Sequence, residues 1–170
     1  LNSNLLDNSG LNQVDNSADG AADPAAGVET SIFEIPGTGV HEIIPSTGLP
    51  AVTDSFTALD ATTQQGASCA AGSRSLQVQL DGSSAGANAQ GISIDAGDAI
   101  IRGFAIGEFS EQGIHGSANA DNLVVACNNV GLAAGGSTLA TNGLHGIWIE
   151  DATNITIGGS SDTERNIVSG

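Results

Sequence analysis

The chain contains no lysine, no tyrosine and no methionine, and only three arginines offset its 19 aspartate and glutamate residues. Average usage would supply several of each missing residue type. Halophilic adaptation, an unusual repeat composition and a sequence not read directly from a gene are explanations that the composition leaves open. With a net charge of −16, the chain cannot neutralise the phosphates of a nucleic acid, and it is not attracted to a membrane of anionic lipids. We therefore expect no nucleic-acid partner and no insertion into a membrane.

Large side chains and long apolar runs are also scarce. Aromatic residues make up 3% of the chain, and no apolar run is long enough to span a bilayer. Leucine, isoleucine, valine and alanine must therefore fill the core, and the 24 glycines provide turn positions. At 170 residues, we expect a single domain with enough stacked units to form a continuous core.

Three segments that begin with Gly-Ile indicate a structural repeat: Gly-Ile-Ser-Ile-Asp (91–95), Gly-Ile-His-Gly-Ser (113–117) and Gly-Ile-Trp-Ile-Glu (146–150). A second apolar segment follows each of them: Ala-Ile-Ile (99–101), Leu-Val-Val (123–125) and Ile-Thr-Ile (155–157). The second step is longer than the first, and an insertion from about Leu132 to Asn142 explains the difference. Short apolar segments between Gly, Asn and Asp are typical of strands. The repeat predicts stacked parallel strands with equivalent residues about 4.8 Å apart.

Five segments carry a resemblance to a known family: IPGTGVHEIIPSTGLPAVTD (35–54), TTQQG (62–66), QLDGSSAG (79–86), IIRGFAIGEF (100–109) and NITIGGSSDTERNIVSG (154–170). The chain resembles the bacterial right-handed parallel β-helix repeat proteins, which have pectin-lyase-like architecture. The resemblance implies an all-β fold, a right-handed parallel β-helix (solenoid) over residues 27–170, in a protein on or outside the cell. Because this fold carries lyases, hydrolases, adhesins and passive stalks, it does not define an activity.

Residues 1–26 differ from the rest in being rich in Asn, Asp, Ser and Ala. The resemblance implies a short N-terminal capping segment here, with Leu11, Val14, Ala18 and Ala21 as the apolar stripe of a helix. A solenoid needs such a cap because an uncovered terminal unit exposes apolar side chains and an unpaired strand edge.

The same segment spaces oxygen ligands around Gly20 as calcium loops do, and its candidate metal ligands are Asp15, Ser17, Asp19 and Asp23. The last position of that loop is Ala26, where an EF-hand places a bidentate glutamate. Loss of that ligand favours an acidic cap or linker over a metal site. We expect no cofactor, and calcium is the alternative.

The two cysteines, Cys69 and Cys127, are an even number, which permits a disulfide in a secreted chain. Cys69 lies about two repeats before Cys127, however, and a disulfide does not usually span that separation. We therefore expect two free or separately engaged thiols. Zinc is not supported, since His41, His115 and His145 show no ligand spacing with either cysteine.

The Gly-Ile strands predict an inward column and two outward columns of side chains. Alternation directs five isoleucines to the core: Ile92, Ile94, Ile114, Ile147 and Ile149. It leaves five candidate ligand-binding residues outside, in a column of Ser93, His115 and Trp148 and in the next column, where Asp95 and Glu150 flank Ser117. An outward indole can stack on a sugar ring. Asp95 and Glu150 would lie about 10 Å apart, near the wide limit for inverting glycosidases, although carboxylates at strand ends more often cap turns or face water.

A lyase mechanism is not favoured. Polysaccharide lyases of the resembling architecture use a cationic base and carboxylate-bound calcium, yet Arg74, Arg102 and Arg165 fall in different columns and there is no lysine. We assign no catalytic residue and expect a non-catalytic structural or adhesive element, extracellular or on the cell surface. The alternative is a carbohydrate-binding or carbohydrate-degrading module with a polysaccharide as its ligand.

The sequence ends as a strand formed by Asn166, Ile167, Val168 and Ser169 finishes. We expect this edge to be open, with unpaired backbone groups and exposed apolar side chains. Either the chain belongs to a longer solenoid, or another copy covers the edge and gives head-to-tail self-association.

Overall fold

A computed structural model describes residues 28–170, which form an almost entirely β structure. The implied cap and the calcium candidates Asp15, Ser17, Asp19 and Asp23 lie outside the described residues. Three one-turn 3-10 helices occur within the described range, at Ala61–Thr63, Gly82–Ser84 and Asp162–Glu164. None of the helices in residues 28–170 has the length and apolar character needed to cross a membrane.

Short strands, numbered along the chain, make up the described region. They are β1 (Glu29–Ile32), β2 (His41–Ile43), β3 (Thr57–Asp60), β4 (Val78–Asp81), β5 (Ile92–Ile94), β6 (Ile100–Arg102), β7 (Phe104–Gly107), β8 (Ile114–Gly116), β9 (Val124–Ala126), β10 (Asn129–Val130), β11 (Ile147–Ile149), β12 (Thr156–Ile157) and β13 (Ile167–Val168). Sheet A contains β1, β3, β6, β9 and β12; sheet B contains β2, β4, β7, β10 and β13; and sheet C contains β5, β8 and β11.

The chain contributes strands to the three sheets in a fixed order, A then B then C, and then begins again with A. Each such round of the three sheets is called a pass. Within each sheet, every strand pairs in parallel with a strand of a neighbouring pass. In the first pass, a single bridge from Val52 to Ile94 takes the place of a strand in sheet C. The predicted all-β fold of stacked parallel strands is therefore confirmed, and the arrangement is compatible with a β-helix.

The predicted register of the Gly-Ile strands is also confirmed. Ile92, Ile114 and Ile147 are aligned across sheet C, and the next position aligns Ser93, His115 and Trp148. The isoleucines meet the inward residues of the other two sheets in one core, whose fully buried members include Ile94, Ile101, Ile106, Ile114, Leu123, Val125 and Val130. Ile147 and Ile149 belong to the last strand of sheet C and are only partly buried.

Asp or Asn repeats at the turn that leads from sheet C to sheet A. Asp98, Asn122 and Asn154 occupy this turn in three successive passes, each with a left-handed backbone. Asn and Asp adopt that conformation more readily than other side chains. The Asn122 amide donates to Asp98 at 3.0 Å, and the Asn154 amide donates to Asn122 at 3.2 Å. The turns of neighbouring passes are therefore joined by a ladder of side-chain hydrogen bonds.

A second pair of asparagines lies at the turn from sheet A to sheet B. The fully buried Asn128 accepts from the backbone N–H of Phe104 at 3.0 Å and donates to the carbonyl of Ile101 at 3.0 Å. Asn166, one pass later, accepts from the N–H of Asn128 at 2.9 Å and donates to Val125 at 2.7 Å. These amides satisfy backbone groups that the turn leaves unpaired inside the protein.

Two long loops cover the outer face of sheet B. One spans residues 64–77 and is closed by an antiparallel bridge between Ser68 and Ser75; the other contains the predicted insertion and is closed between Leu132 and Leu139. The backbone N–H of Ala134 donates to the Gln79 side chain of β4 at 2.9 Å. Under the loops lies a second apolar cluster, made of Leu76, Ala105, Cys127, Ala134 and Cys69.

Cys69 and Cys127 form a disulfide with their Cα atoms 5.9 Å apart, so the expectation of two separate thiols was wrong. That expectation assumed that Cys69 stays beside the strands of its own pass, about two passes away from Cys127 along the stack. The 64–77 loop instead extends across later passes, as Arg74 shows by donating to Asn129 of β10 and to the carbonyl of Arg165. Cys127 lies in the sheet A to sheet B turn, where its sulfur meets the loop.

The Gly103 turn provides a test of the stacking. Gly103 has a φ of 85°, and an added Cβ would lie 2.6 Å from the backbone nitrogen of Thr62 in the preceding pass. Gly72 has a φ of 76°, but an added Cβ there would have no atom within 4 Å. Alanine at either position should lower the free energy of unfolding by about 1–2 kcal/mol, because a residue with a Cβ is strained in the left-handed conformation. Gly103→Ala should cost about 1–3 kcal/mol more, from overpacking, in urea unfolding. Equal losses for the two variants would contradict the close stacking of the passes.

Candidate functional site

The outer faces of sheets B and C differ in how far they are covered. Ala105 on the outer face of sheet B is fully buried by the loops. On sheet C, Ser93 and His115 are partly exposed, and Trp148 is 39% exposed. A large ligand can therefore reach the outer face of sheet C directly.

The three outward residues Ser93, His115 and Trp148, here called the sheet C column, are in contact. The ring centres of His115 and Trp148 are 5.2 Å apart, and the Ser93 hydroxyl lies 3.4 Å from Nδ1 of His115. His145 approaches the indole as well, with ring centres 5.8 Å apart. The indole thus lies against two imidazoles, which support it from its own pass and from the pass before.

His145 is a functional candidate that the sequence did not single out for this surface. It immediately precedes Gly146, as Gln90 precedes Gly91 and Gln112 precedes Gly113 in the earlier passes. Only the alignment of these three positions could have indicated that His145 lies beside the sheet C column.

The acidic candidates Asp95 and Glu150 lie at the ends of β5 and β11 and have different partners. Asp95 accepts from the hydroxyl of Ser117 and from the amide of Asn119 at 2.9 Å. The Ser117 hydroxyl, with the Asn119 amide, holds the pKa of the Asp95 carboxyl below its usual range. Glu150 lies 3.7 Å from Nε2 of His115. Asp95 is therefore well suited to remain ionised and poorly suited to donate a proton as a general acid.

Ser93, His115 and Glu150 have the composition of a nucleophilic triad. Their separations of 3.4 Å and 3.7 Å are both longer than the hydrogen bonds of an activated nucleophile. Near Ser93, the backbone N–H of Ile92 donates to the carbonyl of Gly113 at 2.9 Å, and that of Asp95 donates to the carbonyl of Val52 at 2.8 Å. They are not free to stabilise an oxyanion. The geometry suits ligand contact better than acyl transfer.

Residues 28–170 contain no cluster of three or more His, Cys, Asp or Glu side chains that could hold a metal ion. The calcium candidates belong to the segment outside this range and stay a prediction.

The residues of the predicted assembly edge are part of the last described pass. Ile167 and Val168 pair in parallel with β10, and the side chain of Asn166 is hydrogen-bonded to Asn128 and Val125. One side of this strand is thus integrated into sheet B. Association of a second copy with its other side stays a prediction.

Comparison of the chain with family models, with curated proteins and with solved structures found no match. The parallel sheets are those that the resemblance to β-helix repeat proteins implies.

Proposed function

We propose that this chain is a right-handed parallel β-helix that acts outside the cell as a non-catalytic structural and adhesive element, binding polysaccharide through the sheet C column. The repeated A, B, C order of parallel strands supports the β-helix. Such a solenoid is stiff along its axis, because each pass is paired with its neighbours throughout. A stiff support suits a protein that holds one surface against another.

One observation carries the binding function: the partly exposed indole of Trp148 lies on the outer face of sheet C and packs against His115 and His145. Tryptophan combines a large apolar face with a polar N–H, which matches the alternating apolar faces and hydroxyls of a sugar. Ser93 and His115 continue the column at intervals of about 4.8 Å. A linear polymer lying along the column would meet a ring or hydroxyl at each pass.

The disulfide supports the location outside the cell. Disulfides persist in oxidising surroundings and are rare in the cytosol of most organisms. Cys69 and Cys127 join two passes of the chain and lie in a buried cluster. Their bond is part of the folded structure, which favours an extracellular or cell-surface protein.

The test is polysaccharide binding by wild type, Trp148→Ala and the control Leu139→Ala, which removes an exposed apolar side chain from the loop over sheet B. Oligosaccharide titration calorimetry should show that Trp148→Ala weakens binding on the order of tenfold, through loss of one stacked aromatic contact. Leu139→Ala should bind as wild type does. The proposal fails if wild type binds no polysaccharide, or if Trp148→Ala binds equally well.

The same samples distinguish the alternative of a carbohydrate-degrading module. A non-catalytic protein should release no new reducing ends and no unsaturated products from pectin, alginate or β-glucan. Turnover that disappears in Asp95→Asn or Glu150→Gln would instead show that these carboxylates perform hydrolysis.

A further inference from the structure

The charges around the sheet C column are all of one sign. Four carboxylates lie on or beside its strands: Asp95, Glu111, Glu150 and Asp151. The chain has three arginines and no lysine, and all three arginines are elsewhere. Arg102 is in β6 of sheet A beside Asp60, Arg74 is in the loop over sheet B, and Arg165 precedes β13. No arginine or lysine is therefore available on this face to bind an anionic ligand.

Two groups beside Trp148 are suited to a further contact. Glu150 has a side chain that is 42% exposed, and it lies 3.7 Å from Nε2 of His115. The same Nε2 is buried and has no hydrogen-bond partner among the described residues. Glu150 thus lies beside His115, whose ring is 5.2 Å from that of Trp148. A carboxylate and an indole on the same face can both attract an ammonium group, the first through charge and the second through the cation–π interaction.

The field of the whole chain acts in the same direction. A net charge of −16 repels anionic polymers and raises the local concentration of cationic ones. Uronate or sulfated polysaccharides would bring carboxylates or sulfates close to Asp95 and Glu150 without a cation between them. The penalty for such like-charge contact disfavours them.

We infer that the sheet C column binds a polysaccharide of amino sugars whose free amines are protonated. This inference rests on the proposed function and names the ligand class for the same surface. The apolar face of one sugar ring stacks on Trp148, and an ammonium group lies at Glu150. Because Asp95 lies two passes away in the same outward column, an amine further along the same polymer meets a second carboxylate. A repeating polymer suits this surface, since two of the three residues in this outward column are acidic, Asp95 and Glu150, with Ser117 between them.

The experiment compares three oligosaccharides of equal length: glucosamine with free amines, its fully N-acetylated form, and galacturonate. Wild type at low salt should bind the free amine at least tenfold more tightly than the acetylated form, and galacturonate least. Added salt should reduce the advantage of the amine, because the ion pairs are exposed.

Two variants locate the charge preference. Glu150→Gln combined with Asp95→Asn should reduce the advantage of the amine to about threefold or less and leave binding of the acetylated form unchanged. The control Asp162→Asn removes an exposed acid from the 3-10 helix outside sheet C and should retain the wild-type preference.

Equal binding of the amine and acetylated forms, both lost in Trp148→Ala, would overturn the inference and leave the proposed function standing. Tightest binding of galacturonate would overturn it too. Binding of none of the three would remove both proposals. Poly-lysine that binds as tightly as the free amine, without dependence on Trp148, would overturn the inference in favour of a basic protein partner.

Discussion

Replacing Ile114 with aspartate should prevent the protein from folding under native conditions. Ile114 is fully buried and lies between Ile92 and Ile147 in the central strand of sheet C. An unpaired charge in that position costs several kcal/mol, which is of the order of the total stability of a domain. Circular dichroism and size-exclusion chromatography should show loss of the β signal and of the compact species.

Two further variants make the Ile114 result specific. Ser93→Asp adds the same charge to the adjacent strand but on its outer face, so its melting temperature should stay close to that of wild type. Ile147→Asp should fall between them, because Ile147 is only partly buried. An Ile114→Asp protein that melts at the wild-type temperature would contradict the inward column of isoleucines.

Removing the disulfide, by Cys69→Ala with Cys127→Ala, should lower the free energy of unfolding by about 2–5 kcal/mol. The bond joins residues 58 positions apart and therefore restricts the unfolded chain strongly. Its loss also releases the 64–77 loop from the apolar cluster around Ala105. Urea unfolding of the double variant and of wild type, without reductant, measures the difference.

The disulfide variant also tests the separation of the two faces. The bond lies at the turn between sheets A and B, so the folded double variant should bind oligosaccharide through sheet C as wild type does. Thiol titration of native wild type should find no reactive cysteine. Two titratable thiols, or an unchanged free energy of unfolding in the double variant, would contradict the cross-link.

The periodic part of the fold could be predicted from the sequence because equivalent residues recur at equivalent heights. The Gly-Ile segments predicted both the parallel register and the inward column, and the extra residues after Gly131 predicted the insertion. These features depend on local alternation and on the stacking of similar segments. Both are visible in one sequence.

The disulfide and the contact of His145 with Trp148 could not be derived in the same way. The path of the 64–77 loop depends on packing against Ala105 and on the hydrogen bond from Arg74 to Asn129, and neither contact has a periodic signal. His145 lies outside the strand itself, where alternation makes no prediction. Contacts between loops and later passes are determined by tertiary structure, so sequence spacing alone underestimated how far Cys69 reaches.

The most direct test of polysaccharide binding on sheet C uses the fluorescence of Trp148, which is the only tryptophan in the chain. A glucosamine oligosaccharide that stacks on the indole should change its emission saturably, with the same midpoint as binding measured by calorimetry. The acetylated form should give the same spectral change at higher concentration. Calorimetric binding without any change in tryptophan emission would place the ligand elsewhere and contradict the account.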